Sequence, residues 1–208
     1  MICPLCKSSG ETFYTHKERE FYICSNCKGI FLSQEQLPEK EAEKQRYQLH
    51  KNDMEDEGYQ KFVSPITNSV LHDFEPKHRG LDFGAGTGPV ITKILKGHNF
   101  KIDIYDPFFH PNAELLGRKY DYIVCCEVIE HFYNPYKEFK LLKSLLKPHA
   151  KLYLMTDIYD EKIDFAAWYY KNDPTHVFLY SKKTFDWIKN EFGFSDVFVE
   201  KRLIIFSV

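Results

Sequence analysis

The sequence predicts an α/β fold, a doubly wound and mostly parallel β-sheet with helices on both faces, preceded by a small cysteine-rich module. Short apolar runs alternate with amphipathic stretches, and one apolar run ends in three glycines at alternate positions. Two C-x-x-C pairs within the first 27 residues indicate the separate module. The chain of 208 residues, 43% of them hydrophobic, is long enough for one domain with such an addition.

The composition disfavours some classes of function. The formal net charge is −2, which gives no global electrostatic reason to bind nucleic acid, although a local basic patch is compatible with it. No apolar run reaches the roughly 18 residues that a membrane-spanning helix needs, and the residues from Met1 to Pro4 lack the pattern of a signal peptide. We therefore expect a cytoplasmic protein with no membrane partner.

The cysteines predict a metal site near the N-terminus. Four of the six form the two C-x-x-C pairs: Cys3, Cys6, Cys24 and Cys27. Two such turns direct four thiolates toward one ion and complete a tetrahedral zinc site. With short strands at 13–14 and 21–23, residues 1–33 are predicted to form a zinc ribbon. Redox pairs and disulfides are the alternatives, and neither suits two close pairs in a cytosolic chain without a βαβ context.

Residues 34–58 are dense in charges of both signs, which predicts a solvated linking helix. Pro38 is placed to begin this helix. Near its end lie Tyr47, His50 and Asn52, which are candidates to cover a ligand.

Residues 59–208 alternate between helix and strand patterns. The predicted elements are, in order, a helix with Ser64 as N-cap and Pro65 as first residue, a strand at 80–83, a helix that starts at Pro89 and is stopped by Gly97, strands at 101–105 and 122–126, a helix opened by Asn134 and Pro135, a strand at 151–155, a helix from Ser181 to Gly193, and a hairpin of strands at 196–200 and 203–206. The strand at 122–126 contains Cys125 and Cys126, which are predicted to be buried. The aromatic stretch at 165–170 is predicted to be core under an inserted loop, with a lid over the site as the alternative.

The glycine segment predicts a cofactor site. Residues 81–89 read Leu-Asp-Phe-Gly-Ala-Gly-Thr-Gly-Pro, a strand followed by a tight turn and a helix start. Glycines allow the backbone to approach a ligand closely, and nucleotide-derived cofactors bind at such turns. A dinucleotide fingerprint would need glycine where Pro89 stands, so a nicotinamide cofactor is disfavoured. An ordinary glycine turn in another α/β protein is the alternative.

Two motifs resemble class I S-adenosylmethionine (SAM)-dependent methyltransferases. Asp82-x-Gly84-x-Gly86-x-Gly88 fits the first motif of that family, (D/E)-x-G-x-G-x-G, without a gap. The segment 127–131, Glu-Val-Ile-Glu-His, resembles the fourth-strand motif of the E-V-x-E-H branch, which includes ubiquinone-type O-methyltransferases and small-RNA 2′-O-methyltransferases.

The resemblance covers residues 59–208 and implies a seven-stranded-type sheet with a C-terminal β-hairpin. Only 14 residues separate Asp106 from Asp121, where the family usually fits a helix, a strand and another helix. The third-strand unit is therefore expected to be missing or shortened.

The resemblance also implies SAM as the cofactor, with Asp82 and the glycines around its methionine portion. Asp106 ends a strand about 20 residues beyond the glycines, where a carboxylate can accept both ribose hydroxyls; a turn role for this Asp-Pro pair is the alternative. Phe108, Phe109 and Asn112 are candidates to contact adenine. The predicted cofactor-binding residues are Asp82, Phe83, Gly84, Ala85, Gly86, Gly88, Asp106, Pro107 and Glu127.

The E-V-x-E-H motif further implies a second metal. In the small-RNA enzymes two glutamates and two histidines hold a divalent metal that contacts the substrate hydroxyls. Glu127, Glu130 and His131 match three of those ligands, and His176 is the candidate for the fourth. Mixed oxygen and nitrogen donors suit Mn²⁺, Fe²⁺ or Co²⁺ at least as well as Mg²⁺, and such a metal lowers the pKa of a bound hydroxyl.

Two alternatives remain for these residues. His131 or His176 could act as a general base without a metal. Otherwise Glu130 and His131 only cap the next helix, and Glu127 hydrogen-bonds the cofactor or the backbone. Under either catalytic interpretation the predicted catalytic residues are His131, His176 and Glu130.

The sequence thus predicts a SAM-dependent methyltransferase that transfers a methyl group to a hydroxyl of a small molecule. One alternative is methylation of structured RNA, with the ribbon as the docking module. The other is a regulatory protein that binds SAM without catalysis and is recruited through its ribbon.

Overall fold

A computed structural model describes residues 1–49 and 53–208 of the chain. His50 and Asn52, two of the candidates to cover a ligand, lie outside these residues. In chain order the elements are β1 (Gly10–His16), β2 (Arg19–Cys24), β3 (Ile30–Leu32), α1 (Lys40–Gln48), α2 (Glu57–Asp73), β4 (Arg79–Phe83), α3 (Val90–Gly97), β5 (Lys101–Tyr105), β6 (Tyr120–Cys126), α4 (Pro135–Leu145), β7 (Leu146–Met155), β8 (Phe178–Leu179), α5 (Lys182–Phe192), β9 (Asp196–Glu200) and β10 (Leu203–Ser207).

The larger sheet has the strand order β5-β4-β6-β7-β10-β9. The first four strands are parallel, and β10 runs antiparallel to both β7 and β9. Apolar side chains of α2 and α3 pack on one face with Tyr122, and those of α4 and α5 pack on the other face with Ile123. The predicted α/β class, the mostly parallel sheet and the terminal hairpin are confirmed.

A seventh strand is absent from this sheet in the part of the chain that the structure describes. The connection from β5 to β6 forms a bridge between Asp106 and His110 and then a short 3₁₀ helix at Ala113–Gly117. An additional parallel strand between β5 and β6 would need two crossovers of a dozen or more residues each, and the connection has only 14 residues in all. The expected seven-stranded sheet is therefore reduced to six strands by the shortened third unit.

The first helix of the domain begins earlier than the sequence suggests. Asp56 is the N-cap of α2, and its carboxylate accepts a hydrogen bond from the backbone N–H of Tyr59 at 2.6 Å. Pro65 lies inside the helix and lacks the N–H that would bond the carbonyl of Lys61, but the Ser64 hydroxyl donates to that carbonyl at 2.8 Å. The prediction that Ser64 and Pro65 open the helix is wrong, because this local hydrogen bond replaces the missing one.

The helix ends show which cap predictions hold. Asn134 and Ser181 are the N-caps of α4 and α5, and Gly193 ends α5 in the left-handed conformation, as predicted. Gly97, in contrast, is the last residue of α3, and the left-handed residue beyond it is Asn99 (φ 64°). Asparagine tolerates this conformation, so the helix extends one residue further than predicted and its left-handed residue is Asn99 instead of a glycine. Pro89 is the N-cap of α3 instead of its first residue.

The N-terminal module is joined to the larger domain by a shared sheet and a shared core. The smaller sheet has the order β1-β2-β3-β8, so β3 pairs with a strand of the domain. Phe165, Trp168 and Tyr170 from the predicted aromatic stretch are buried against Phe21 of the module. Phe165 and Trp168 are therefore core under an inserted loop, as predicted, whereas Tyr169 and Tyr170 line the cavity described below. None of the described helices is long and apolar enough to cross a membrane.

Candidate functional site

A cavity of about 1180 Å³ opens where β4, β5 and β6 end. Ligands bind at this edge in open α/β sheets, because loops and helix N-termini converge there. Its walls come from the glycine turn after β4, the loop after β5, the residues after β6, helices α1 and α2, and the segment 169–176.

The glycine turn forms one wall of the cavity. Gly84 and Gly86 have φ angles of 78° and 62°, which favour glycine. A Cβ atom on Gly84 would lie 2.6 Å from the side chain of Val128, so the turn approaches the end of β6 too closely for a side chain. Other predicted cofactor residues also line the cavity: Phe83, Ala85, Gly88 and Pro107.

Asp106 fastens the glycine turn to the loop after β5. Its buried carboxylate accepts hydrogen bonds from the backbone N–H of Gly86 at 3.0 Å, of Phe108 at 2.8 Å and of Phe109 at 3.0 Å. The structure thus places Asp106 in a turn that lines the cavity, and the ribose contact stays a prediction. Asn112 caps the following 3₁₀ helix, with its side chain accepting from the N–H of Glu114.

Asp82 lies at the base of the glycine turn and is 4% exposed. The Thr92 hydroxyl donates to its carboxylate at 2.7 Å. Burial raises the pKa of Asp82 to about 6, and the hydrogen bond from Thr92 opposes this shift.

The raised pKa of Asp82 leads to a pH-dependent prediction. The folded state holds this proton more tightly than the unfolded state, so ionisation of Asp82 costs stability as the pH rises from about 4 to about 6. Across this range we expect the free energy of unfolding of Asp82→Asn to rise relative to the wild type, by at most about 3 kcal/mol. Urea unfolding of both proteins at pH 4, 5, 6 and 7 measures the difference, and a difference that stays constant with pH would contradict the prediction.

Two histidines, His131 and His176, line the cavity, and the fully buried carboxylate of Glu130 lies beside them. The Nδ1 atom of His131 lies 2.9 Å from the carbonyl oxygen of Thr175, and Nδ1 of His176 lies 2.7 Å from that of Tyr170. Since a carbonyl only accepts, both Nδ1 atoms carry the proton and both Nε2 atoms keep a lone pair. One donor atom each from Glu130, His131 and His176 lie within 4.8 Å of one another.

The surroundings of this group set its charge. Glu130 is completely buried, and it accepts hydrogen bonds from the hydroxyls of Thr156 at 3.0 Å and Tyr170 at 2.5 Å. Burial raises the pKa of Glu130 to about 7 and lowers the pKa of His176 to about 3; the pKa of His131 is also lowered by burial. Both imidazoles are therefore neutral at pH 7, the form that binds a metal. Two histidines with one carboxylate are a mixed nitrogen and oxygen donor set that would suit a divalent transition metal.

Glu127 forms an ion pair with Arg202, and the Tyr170 hydroxyl that donates to Glu130 also lies 3.2 Å from the carboxylate of Glu127. Both of its carboxylate oxygens lie 2.6 Å from Nη2 of Arg202. Its backbone has a φ of 53°, and its N–H donates to the carbonyl of Met155 at 2.9 Å. The structure thus brings together three of the four predicted ligands and turns Glu127 toward Arg202. No signal in the sequence pointed to Arg202, which lies in the turn of the terminal hairpin.

Helix α1 lies over the cavity, so it is more than the solvated linking helix that its charges predict. The ring of Tyr47 packs against the ring of His131, with centroids 5.1 Å apart. The Tyr47 hydroxyl donates to the buried carboxylate of Glu43 at 2.7 Å, and Arg46 pairs with Asp173 at 2.8 Å. Tyr47 is thus placed to cover a ligand, as proposed from the sequence.

The four N-terminal cysteines form a second group of donors. Their sulfur atoms lie within 4.8 Å of one another, with 3.7 Å between Cys3 and Cys27 and 3.2 Å between Cys6 and Cys24. Sulfur atoms around a tetrahedral zinc ion are about 3.8 Å apart, given Zn–S bonds of about 2.3 Å. All six cysteines, each within the described residues, are free thiols. The cluster is compatible with zinc.

Fold and site together define a class of protein, the α/β enzymes that bind a nucleoside cofactor at a glycine turn and transfer a group from it. A family model described as a methyltransferase domain matches residues 54–198, and the chain belongs to that family. The predicted class, a class I SAM-dependent methyltransferase, is confirmed at this level. No curated protein matches the sequence.

Three solved structures of similar fold are distant from this chain in sequence. An O-methyltransferase family protein from Burkholderia thailandensis is 12% identical (TM-score 0.56), over 78% of this chain and 60% of that one. A SAM-dependent methyltransferase from Archaeoglobus fulgidus is 20% identical (TM-score 0.55), over 68% and 72% of the two chains. Human N-acetylserotonin methyltransferase, solved with SAM, is 14% identical (TM-score 0.55), over 81% and 56%. Such likeness shows the fold alone.

Proposed function

We propose that this methyltransferase acts on a hydroxyl group of a small molecule, next to a divalent metal held by Glu130, His131 and His176. The observation that supports it is the convergence of these three side chains: His131 and His176 line the same cavity as the glycine turn, with both Nε2 atoms available, and Glu130 is buried directly beside them. The O-methyltransferases among the structures of similar fold are consistent with a hydroxyl acceptor.

The residues around the glycine turn fit a nucleoside cofactor. SAM supplies an activated methyl group on its sulfonium centre. Gly84 and Gly86 have no side chains, so the backbone itself forms this wall of the cavity. Asp106 stabilises the wall by accepting hydrogen bonds from three backbone N–H groups. The chain's main contribution to the rate is then alignment of the acceptor oxygen with the methyl group.

The second group of residues would prepare the acceptor. Glu130, His131 and His176 would hold a divalent metal, which would lower the pKa of a nearby hydroxyl. The carbonyls of Thr175 and Tyr170 fix the tautomers of the two imidazoles, and Tyr170 also donates to Glu130. The neutral imidazoles fit a metal-free general base as well, which makes dependence on metal the discriminating measurement.

We further infer three segments: a zinc ribbon at residues 1–33, a linking segment at 34–58 whose helix covers the cavity, and the methyltransferase domain at 59–208. The zinc assignment is supported by the spacing of the cysteines and by the distances among their sulfur atoms.

Calorimetry with S-adenosylhomocysteine, followed by Mn²⁺, tests the two binding sites separately. Methyl transfer from labelled SAM to catechols, sugar diols and structured RNA, each with and without Mn²⁺, then tests the acceptor class. We expect Mn²⁺-dependent O-methylation of a small molecule. Transfer to RNA alone would overturn the acceptor class, and transfer that is unaffected by metal removal would favour the general base.

A substitution at Asp106 tests the cofactor wall. We expect Asp106→Asn to weaken S-adenosylhomocysteine binding about 30-fold. The single oxygen of an amide cannot accept all three N–H hydrogen bonds, and it is a weaker acceptor for ribose hydroxyls than a carboxylate. Asp103→Asn in β5, three residues before Asp106, is the control; its carboxylate pairs with Arg79, and the substitution should change the affinity less than about twofold. Equal affinities of Asp106→Asn and the wild type would refute both the turn and the ribose role.

A further inference from the structure

Arg19 reaches from the N-terminal module to the segment that carries His176. It lies at the first position of β2. Its Nη1 donates to the carbonyl oxygens of Lys171 at 2.7 Å and Asp173 at 3.1 Å, and its Nη2 donates to that of His176 at 2.8 Å. One guanidinium therefore donates hydrogen bonds to three backbone carbonyls that are more than 150 residues away in the sequence.

The segment that Arg19 holds also orients both imidazoles of the proposed metal site. The carbonyl of Thr175 accepts from His131, and the carbonyl of Tyr170 accepts from His176. These acceptors lie in the same segment, 170–176, as the carbonyls that Arg19 binds. A shift of the segment would therefore turn both Nε2 atoms away from Glu130.

The contacts suit arginine and no other residue. A planar guanidinium presents several N–H groups in fixed directions, whereas a lysine ammonium is a compact charge at the end of a flexible side chain. The module adds a second attachment, because the N–H of Leu32 donates to the carbonyl of Val177 at 3.1 Å. On the opposite side, Arg46 of α1 binds the side chain of Asp173. The segment is thus held between the module and α1.

We propose that Arg19 is a positioning residue for the site formed by Glu130, His131 and His176, and that the cysteine module is thereby a structural part of the methyltransferase cleft. The role of the site as a metal centre rests on the proposed function, but the effect of Arg19 on the segment does not. The proposal assigns the module a task inside the enzyme in place of docking a nucleic acid.

The test compares Arg19→Gln, Arg19→Lys and the wild type in the full, zinc-loaded chain. Hydrogen exchange measures the exchange rates of the backbone amides of His176 and Val177. These amides donate to the carbonyl oxygens of Asp173 and Glu130, respectively. Electron paramagnetic resonance measures the affinity of the site for Mn²⁺, and elemental analysis measures the zinc content. We expect both variants to keep their zinc, to exchange these amides about 10-fold faster and to bind Mn²⁺ about 10-fold more weakly. Arg118→Gln, which removes an exposed arginine near Asp103, is the control and should match the wild type.

Each result separates this proposal from the proposed function. If the wild type binds no Mn²⁺, the metal proposal fails, and the exchange of the two amides alone decides the role of Arg19. Unchanged exchange in Arg19→Gln overturns the positioning role. Loss of zinc in both variants overturns it too, because Arg19 would then stabilise the module itself. If Arg19→Gln fails to fold, Arg19→Lys, which keeps the charge and the stem, supplies the comparison.

Discussion

We expect Glu130→Gln to weaken Mn²⁺ binding in the cleft about 100-fold, while the protein stays folded and still binds S-adenosylhomocysteine. Glu130 is the carboxylate of the three-residue donor group in the described part of the chain, and it is completely buried. Glutamine has the same shape, and its amide can exchange hydrogen bonds with the hydroxyls of Thr156 and Tyr170. The substitution therefore removes the charge and preserves the packing.

Affinity for Mn²⁺ in the wild type should also depend on pH. Since burial raises the pKa of Glu130 to about 7, the carboxyl is largely protonated below that pH and a proton competes with the metal. Binding should therefore weaken as the pH falls through about 7. Titrations of Mn²⁺ at pH 6, 7 and 8, followed by electron paramagnetic resonance, measure both effects.

Glu127→Gln is the matched control, three residues away in the same motif. Because Glu127 pairs with Arg202, we expect this variant to change Mn²⁺ affinity less than about threefold. An equal loss in both variants would show that Glu127 leaves Arg202 and joins the site, as the sequence motif implied. Wild-type affinity in Glu130→Gln would refute the metal site.

Features that depend on local chemistry could be predicted from the sequence. Ser181, Asn134 and Gly193 cap helices through hydrogen bonds or backbone conformations within a few residues, so their residue types suffice. Pro65 misled the prediction because the Ser64 hydroxyl replaces the hydrogen bond that proline removes. That replacement depends on the helix already existing, which residue types alone do not reveal.

The site was predictable only where its residues share one motif or one resemblance. Glu130 and His131 follow a strand whose end lies at the binding edge, so their position could be inferred. The ion pair between Glu127 and Arg202 could not be inferred, because the two residues are 75 positions apart in the sequence. The contact of Tyr47 with His131 and the hydrogen bonds from Arg19 to the segment that carries His176 could not be inferred either. These contacts depend on how the module and the terminal hairpin pack, which no local pattern encodes.

Loss of zinc from the module should destabilise the whole chain. Cys24→Ser removes one of the four thiolates, and we expect it to lower zinc content to near zero and the free energy of unfolding by at least about 3 kcal/mol. For a chain of this size the melting temperature falls by about 6–12 °C. Elemental analysis and thermal unfolding monitored by circular dichroism measure the two effects.

The expected loss is large because the module has no core separate from the domain. Cys3, Leu5 and Phe31 belong to the same buried cluster as Phe178 and Phe139 of the domain. Collapse of the cysteine turns would therefore also loosen β3 and the strand β8 that pairs with it.

Cys125→Ala, in the buried strand β6, is the control for removing a thiol from the interior. It should keep its zinc and lose only about 1 kcal/mol, because it deletes one small buried group that is not part of the four-cysteine group. If Cys24→Ser kept stoichiometric zinc, or melted at the wild-type temperature without it, the cysteine group would not be a structural metal site. A fall in stability shared equally by both variants would attribute the effect to packing alone.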